Sequence, residues 1–421
     1  MEQQYEVIVV GAGTSGMMAA ISAAENGARV LLIEKNRRAG KKLLMTGGGR
    51  CNVTNNRPTE DLIAHIPGNG KFLFSAFSQW NNFDVMAFFE SHGVSLKEED
   101  HGRMFPVTNS SKTVVEALMN TIQDLGVTVY FQTKVEKLIH KDGQVYGVKT
   151  DKGEFTAPCV ILSTGGRTYP STGATGDGYQ LAKKVCHTIT TLYPTESPLV
   201  SEESFIKDKT LQGLSLQDVK LSVLNQKQRA VTSHTMDLLF THFGLSGPAA
   251  LRCSSFVNQE LKNADDVLVE LDCFPALSSA QLTQQVQSSL QSKKTAKNAL
   301  HGLIPERLLA FYLERLALAD LIADQLATEQ VEAFVALLKS FTIKIVKTFP
   351  LEKSFVTGGG IQLKEVQPKT MESKLLQGLF MTGELLDVNG YTGGYNITAA
   401  FVTGHVAGKN AAEIASYTYL N

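Results

Sequence analysis

A GxGxxG run, Gly11-Ala12-Gly13-Thr14-Ser15-Gly16, follows the β-branched segment Tyr5–Val10 (YEVIVV) without a gap. It opens the stretch Thr14–Asn26, which carries Ala, Met and Ile at helical density before Gly27 closes it. Ala28–Glu34 (ARVLLIE) is a second apolar run of strand length, so residues 5–34 read as one βαβ unit with a buried parallel pair. In such a unit Gly11 permits the tight turn, Gly13 lets the backbone approach a pyrophosphate, and Gly16 allows close packing of helix on strand. Glu34 ends the second strand about 18 residues after Gly16, close to the roughly 20 expected of an acid that binds an adenosine ribose hydroxyl. A carboxylate there repels a 2′-phosphate, so FAD or NAD is expected and NADP is not.

Two later segments choose between them. Ser163-Thr164-Gly165-Gly166 ends one strand-like run and Phe380-Met381-Thr382-Gly383-Glu384 ends another far down the chain. A nicotinamide domain has no use for a return from so far away, whereas the extended FAD molecule is held by such returns. Glu384 then places a carboxylate toward the ribitol, and a helix beginning near Asn396 aims its N-terminal dipole at the flavin ring.

The rest of the chain excludes other classes. Lysine plus arginine is 40 against 41 aspartate plus glutamate, so no positive excess points to nucleic acid. The five cysteines are scattered with no CxxC, which predicts neither a disulfide framework nor a metal site. Met1–Glu6 is polar and precedes no leader-like h-region, and no apolar run approaches the roughly 20 residues of a membrane span. A cytoplasmic protein without membrane or nucleic-acid partners is the expectation. HExxH, Walker A and GxSxG patterns are missing from the sequence, leaving metal, nucleotide and serine hydrolysis unsupported.

Along the chain, Arg37–Asn56 is a Gly-, Lys- and Asn-rich loop too long for a simple connection. Ser75–Ser91 and Ser111–Leu125 read as helices. Short strands at 127–131, 134–140, 145–150 and 155–158 form a meander around Asp142-Gly143 and Lys152-Gly153. Alternating stretches such as Val219–Leu224 make 196–275 a β-rich segment with few helices, and 276–344 turns to Leu, Ala, Gln and Lys at helical period. From 345 the text is again glycine-punctuated α/β, closing in a helix over Asn396–Ala412.

Gly40-Lys41-Lys42-Leu43-Leu44-Met45-Thr46-Gly47-Gly48-Gly49-Arg50-Cys51-Asn52-Val53-Thr54-Asn55 resembles the signature loop of the BaiN/YhiN-like NAD(P)/FAD-dependent oxidoreductases, some of them aminoacetone oxidase-like. The resemblance continues through Gly102–Pro106, Thr241–Pro248, Thr357–Gly360, Gly383–Asp387 and Gly393–Asn396, nearly the whole chain. It implies a Rossmann-like FAD domain of the glutathione-reductase-like superfamily made of 1–195 and 345–421. That domain is interrupted by a β-barrel-like segment, 196–275, and a helical one, 276–344. Position by position it puts Thr14, Ser15, Glu34, Lys35, Lys42, Asn52, Gly383, Glu384, Asn396 and Ile397 near FAD, with Val135 a candidate for the adenine. Thr164, Gly165, Asp387, Gly394 and Tyr395 lie in matched or strand-end motifs and join this cofactor set.

Lys42 and Arg50 suit pyrophosphate charge or an upward bias of flavin potential, while Gly48 and Gly49 bring backbone N–H groups to an anionic or planar ligand. Cys51 lacks a second thiol nearby and reads as packing. His242, in Thr241-His242-Phe243-Gly244, is a candidate proton donor, and Arg103 a candidate orienter of a substrate carbonyl or carboxylate. The expected function is hydride transfer between flavin N5 and a small organic substrate, with NADH or NADPH as transient reductant because no second GxGxxG exists. Amine or aminoketone oxidation by oxygen stays open, and action on RNA or a binding role stands behind both.

Overall fold

The computed structural model describes residues 5–418; Met1–Gln4 of the polar opening segment and 419–421 lie outside the described residues. The chain divides into two compact units, one running to Tyr193 and resuming at Leu351, the other Pro194–Pro350.

The first unit is built on five parallel strands: β1 (Val7–Val10), β2 (Val30–Ile33), β3 (Thr128–Tyr130), β4 (Cys159–Leu162) and β5 (Leu379–Met381). Their order is β5-β4-β1-β2-β3, with Val7 opposite both Val30 and Cys159. β1, β2, β4 and β5 are wholly buried, which is why their sequences are unbroken apolar runs rather than alternating ones. The chain steps outward from β1 to β2 and β3, then returns to the other side of β1 with β4 and β5. The reversal makes the C-terminal ends of β1 and β4 a topological switch point, where open α/β sheets bind ligands.

Helix α1 (Thr14–Glu25) packs against the closing helix, Tyr395–Thr418. Cβ atoms on Gly404 and Gly408 would lie 2.3 Å from the carbonyl oxygens of Ser15 and Ala19, so the two helices meet backbone to backbone. The meander occupies Val135–Lys141, Gln144–Thr150 and Gly153–Thr156. Ser75–Ser91 is not one helix but two, Phe74–Phe77 and Asn82–Ser91. Asn81 breaks it: its side chain accepts the Phe83 and Asp84 N–H groups while Asp84 takes the Asn81 N–H, a capping box. A small antiparallel sheet of Thr54–Asn55, Leu96–Glu99 and Arg103–Pro106, not anticipated from the sequence, carries Arg103.

The second unit holds a seven-stranded antiparallel sheet whose outer strands, Phe341–Ile345 and Lys347–Thr348, are separated by Val346 alone. The sheet therefore curls until its two edges meet. Helix Pro248–Glu260 lies inside the stretch read as almost free of helices; it starts on Gly247-Pro248, and proline at the first turn costs no hydrogen bond. The helices between Ser279 and Ser340 share one hydrophobic core with the sheet. Among the described residues no helix is long and apolar enough to cross a membrane.

Candidate functional site

The three glycines of the first turn divide their labour sterically. A Cβ on Gly16 would sit 1.8 Å from the Gly11 carbonyl oxygen, and one on Gly11 would sit 2.6 Å from that of Ser163, so both are fixed by packing. A Cβ on Gly13 meets nothing within 4 Å. Gly13 is also the N-cap of α1, no side chain caps the helix there, and its first turn holds no acid. The free N–H groups and the positive end of the dipole thus face open space, the arrangement that binds a pyrophosphate.

The neighbouring strand ends supply the remaining groups. Glu34, buried after β2, accepts from the Ala12 N–H (2.8 Å) on one oxygen and from the Asn36 N–H and side-chain amide (both 2.7 Å) on the other. A carboxylate offers about four acceptor positions, so one lone pair remains for a hydroxyl. After β4, Gly165 opens onto empty space, as Gly48 and Gly49 do in the loop that follows β2. After β5, Gly383 stands so close to α1 that a Cβ would meet Ser15 Oγ at 2.7 Å, and Ser163 and Thr382 bridge β4 to β5 through their hydroxyls (2.7 Å).

Glu384 is the hub of the site. Its Oε2 accepts from Lys42 Nζ at 2.7 Å, and its Oε1 accepts from the Thr357 N–H at 2.7 Å and the Thr168 hydroxyl at 3.4 Å. Burial opposes its charge, yet the Lys42 ammonium and the Thr357 hydrogen bonds outweigh it and hold the carboxyl below its usual range. Lys42 also donates to Thr168 Oγ1 at 2.6 Å, which leaves one of its three donors unused. Asp387, by contrast, is pushed upward by burial despite the Thr190 hydroxyl at 3.1 Å.

With this geometry in place, the HI0933-like protein Rossmann domain matches residues 5–410. The chain belongs to the HI0933-like family. A relative from Clostridium scindens, named 3-dehydro-bile acid delta(4,6)-reductase, is 30% identical over 96% of this chain and 98% of its own length. A Haemophilus influenzae relative named ribosomal RNA dihydrouridine synthase is 29% identical over 95% of this chain and 97% of its own. Among solved structures, the 3-ketosteroid delta1-dehydrogenase of Sterolibacterium denitrificans shares the fold with a TM-score of 0.53 at 13% identity, over 97% of this chain and 99% of its own. Like its family, the chain carries the Rossmann-type FAD-binding fold and is an oxidoreductase.

Other residues expected at the site are occupied by protein partners. Lys35 binds Asp177 (2.7 Å) and Thr175 (2.6 Å). Arg50 holds Glu99 with one nitrogen on both oxygens (2.9 and 3.1 Å) and lies 4.2 Å over the Phe105 ring. Arg103 is tied to Asp100 through its side chain and carbonyl, with its guanidinium 5.6 Å from the same ring. Asn52, with its amide turned to suit its neighbours, donates to the Thr54 and Met104 carbonyls and accepts from the Gly394 N–H. Asn396 spends both ends of its amide on Gly390 (2.7 Å each), closing the turn before its helix, while Tyr395 is buried and stacks on His65 at 4.7 Å. Ile397 follows on the first turn of that helix, and Val135 is buried at the start of the meander. The Thr164 hydroxyl points at Gly178, where a Cβ would come within 1.9 Å of it.

His242 belongs to the second unit. It sits exposed on a turn closed by the Thr241 N–H on the Gly244 carbonyl, with its ring 5.0 Å from Phe243 and no hydrogen bond among the described residues. Cys51 is fully buried and its thiol is pushed up to about 12 by desolvation, against the Thr46 hydrogen bond, so it carries no thiolate.

Sequence reading missed the segment Tyr169–Gly178, which reaches Lys35 and Asn36 through Asp177, Thr175 and the Thr172 carbonyl. Its Gly173, Gly176 and Gly178 were the available signal. Ser373, His187 and Glu365 were missed too. Their Ser–His–Glu order (2.8 and 3.0 Å) is a staple and not a nucleophile site, because Ser373 Oγ already accepts the Leu375 and Leu376 N–H groups.

Proposed function

We propose that this chain reduces carbon–carbon double bonds conjugated to a carbonyl, with FAD held in the crevice between β1 and β4 and NADH or NADPH as electron source. The observation that carries the cofactor assignment is the uncapped N-terminus of α1 facing the open space at Gly13. Bound there and reduced by the nicotinamide, the flavin would supply hydride to the electron-poor carbon of the substrate. The chain's own part is binding and orientation. The α1 N–H groups take the pyrophosphate, the spare lone pair of Glu34 takes a ribose hydroxyl, and Gly48, Gly49 and Gly165 leave room for planar groups. Val135, Asn396 and Ile397 line the remaining length in this reading. Arg103, its guanidinium held by Asp100, is the proposed orienter of the carbonyl.

The substrate class draws support from the two relatives. A 3-dehydro bile acid bears a 3-ketone, with which a delta-4 double bond is conjugated, and dihydrouridine differs from uridine by hydrogen added beside a ring carbonyl. Both names fit the addition of hydrogen to a double bond beside a carbonyl, on different carriers. The near-zero net charge therefore gives no ground for excluding RNA as carrier.

The test is anaerobic. Protein reduced with NADPH is mixed with a 4-en-3-one steroid or with uridine-containing RNA, and return of the oxidised flavin band supports the reading. Reoxidation by oxygen alone, together with bleaching by an aminoketone, transfers the assignment to an oxidase.

A further inference from the structure

Charge that the sequence scatters is gathered by the fold at the outer ends of β2 and β3. The Gln132 N–H donates to the Asn36 carbonyl (3.0 Å) and the Thr133 N–H to that of Glu34 (3.1 Å), so the loops after β2 and β3 run side by side. Lys35 draws in Asp177 at the start of helix Asp177–Lys184, and that helix reaches the meander where Lys184 Nζ donates to the Glu136 carbonyl (3.4 Å). Lys152 Nζ reaches back to the Phe131 carbonyl (3.2 Å). Arg37, Arg38, Lys134, Lys152, Lys183 and Lys184 are all exposed on this rim, and none forms an ion pair among the described residues. The nearby carboxylates are fewer: Asp177 is spent on Lys35, Asp151 accepts the Lys134 N–H (2.9 Å), and Glu136 and Glu154 are exposed. At the end of β3 stands an aromatic pair, Tyr130 and Phe155, with ring centroids 5.4 Å apart, Tyr130 36% exposed and its hydroxyl meeting that of Tyr5.

We infer that this rim is a docking surface for single-stranded RNA, its six cations tracking phosphates and Tyr130 offering a face on which a base stacks. Unpaired cations alone fit any polyanion; the exposed ring among them favours a ligand with both phosphates and planar bases. The proposal rests on the reductase reading only in naming RNA as the anion, since it makes the carrier of the reducible base a nucleic acid.

The flavin-loaded full chain is titrated with fluorescently labelled oligouridylate across a salt series. Binding is expected to weaken with a log–log slope of about −0.7 for each phosphate contacted. Lys134→Ala with Lys152→Ala flattens that slope by about 1.4. Arg37→Glu with Arg38→Glu weakens binding at least about tenfold, and Tyr130→Ala weakens it about fivefold with the slope unchanged. Bound flavin stays at wild-type values in all three, and the thermal midpoint does so in the two cation variants. No binding at about 50 mM salt, or binding with a slope indifferent to these changes, overturns the proposal. So does equal loss of binding to phosphatidylglycerol vesicles with none to RNA, which would make the surface a lipid contact. Failure of the reductase reading is separate: it registers as absence of flavin or of reoxidation by a conjugated alkene, whatever the RNA result.

Discussion

Lys42 in the first unit and Lys339 in the second both hold a carboxylate, but they end differently. Lys339 donates to Asp272 (2.8 Å) and to the Phe274 and Leu277 carbonyls (2.8 and 2.7 Å), which uses all three of its protons. Lys42 donates to Glu384 and Thr168 and keeps one. The same contrast separates the elements around them. In the second unit the Lys339–Asp272 pair is closed by protein on every side, whereas the first unit leaves α1 uncapped and sets glycines with nothing before them at three strand-end loops. Polar groups saturated by protein hold a fold together, and groups left short beside empty space are waiting for a ligand.

The sharpest way to break that distinction uses two glycines three residues apart. Gly16→Ala forces a Cβ into the Gly11 carbonyl, and a drop in stability of about 3 kcal/mol or outright failure to fold is expected in thermal melts. Gly13→Ala enters open space at an ordinary φ of −84°, so the melting point should hold while the flavin content of the purified protein falls. If both substitutions damage only stability, the open space has no ligand role.

The two lysines come next. Lys339→Met leaves Asp272, 5% exposed, with the Phe274 N–H at 2.9 Å and no cation nearer than Lys220 at 3.7 Å, and should cost about 3 kcal/mol by chemical denaturation. Lys42→Met should cost less, about 2 kcal/mol, because Thr357 and Thr168 still serve Glu384, and adding Glu384→Gln should recover part of the loss.

How much of this was legible follows from sequence distance. The βαβ opening, the Gly11–Gly16 turn and Glu34 are local patterns, and each states its own geometry within 30 residues of chain. Glu384 was identified as a site residue from its strand end, but its pairing with Lys42 crosses 342 positions and no periodicity encodes it. Lys35, Arg50 and Arg103 were read as cations free for a ligand; a single sequence cannot reveal that Asp177, Glu99 and Asp100 fold onto them. The rim around Arg37 and Lys134 was invisible to a whole-chain charge count for the same reason. Helix Pro248–Glu260 was lost among strands because its short apolar stretches lack an unambiguous period.

A smaller effect concerns pH within the first unit. His405 stacks on Trp80 at 4.4 Å, and burial, aided by Lys409 and opposed by Asp84, brings its imidazole down to about 4. Its folded value lies below the ordinary 6.5, so the stability it contributes is full above about 6.5 and is lost as pH falls toward about 4. The loss should reach about 2 kcal/mol and be followed through Trp80, the chain's sole tryptophan, with His405→Phe flattening the profile. Smallest is the thiol count. Cys186 is exposed while Cys51, Cys159 and Cys253 are buried with thiols raised by desolvation, so iodoacetamide at neutral pH should label Cys186 first and leave those three intact until the protein unfolds.

The central claim, that the crevice between β1 and β4 holds a flavin serving a conjugated double bond, is met most directly by the visible spectrum of the purified protein without oxygen. A yellow protein that bleaches with NADH or NADPH and regains its colour on addition of a conjugated enone or uridine-containing RNA is the predicted result. A colourless protein that yields no flavin on denaturation, and takes up none when FAD is supplied, would contradict it.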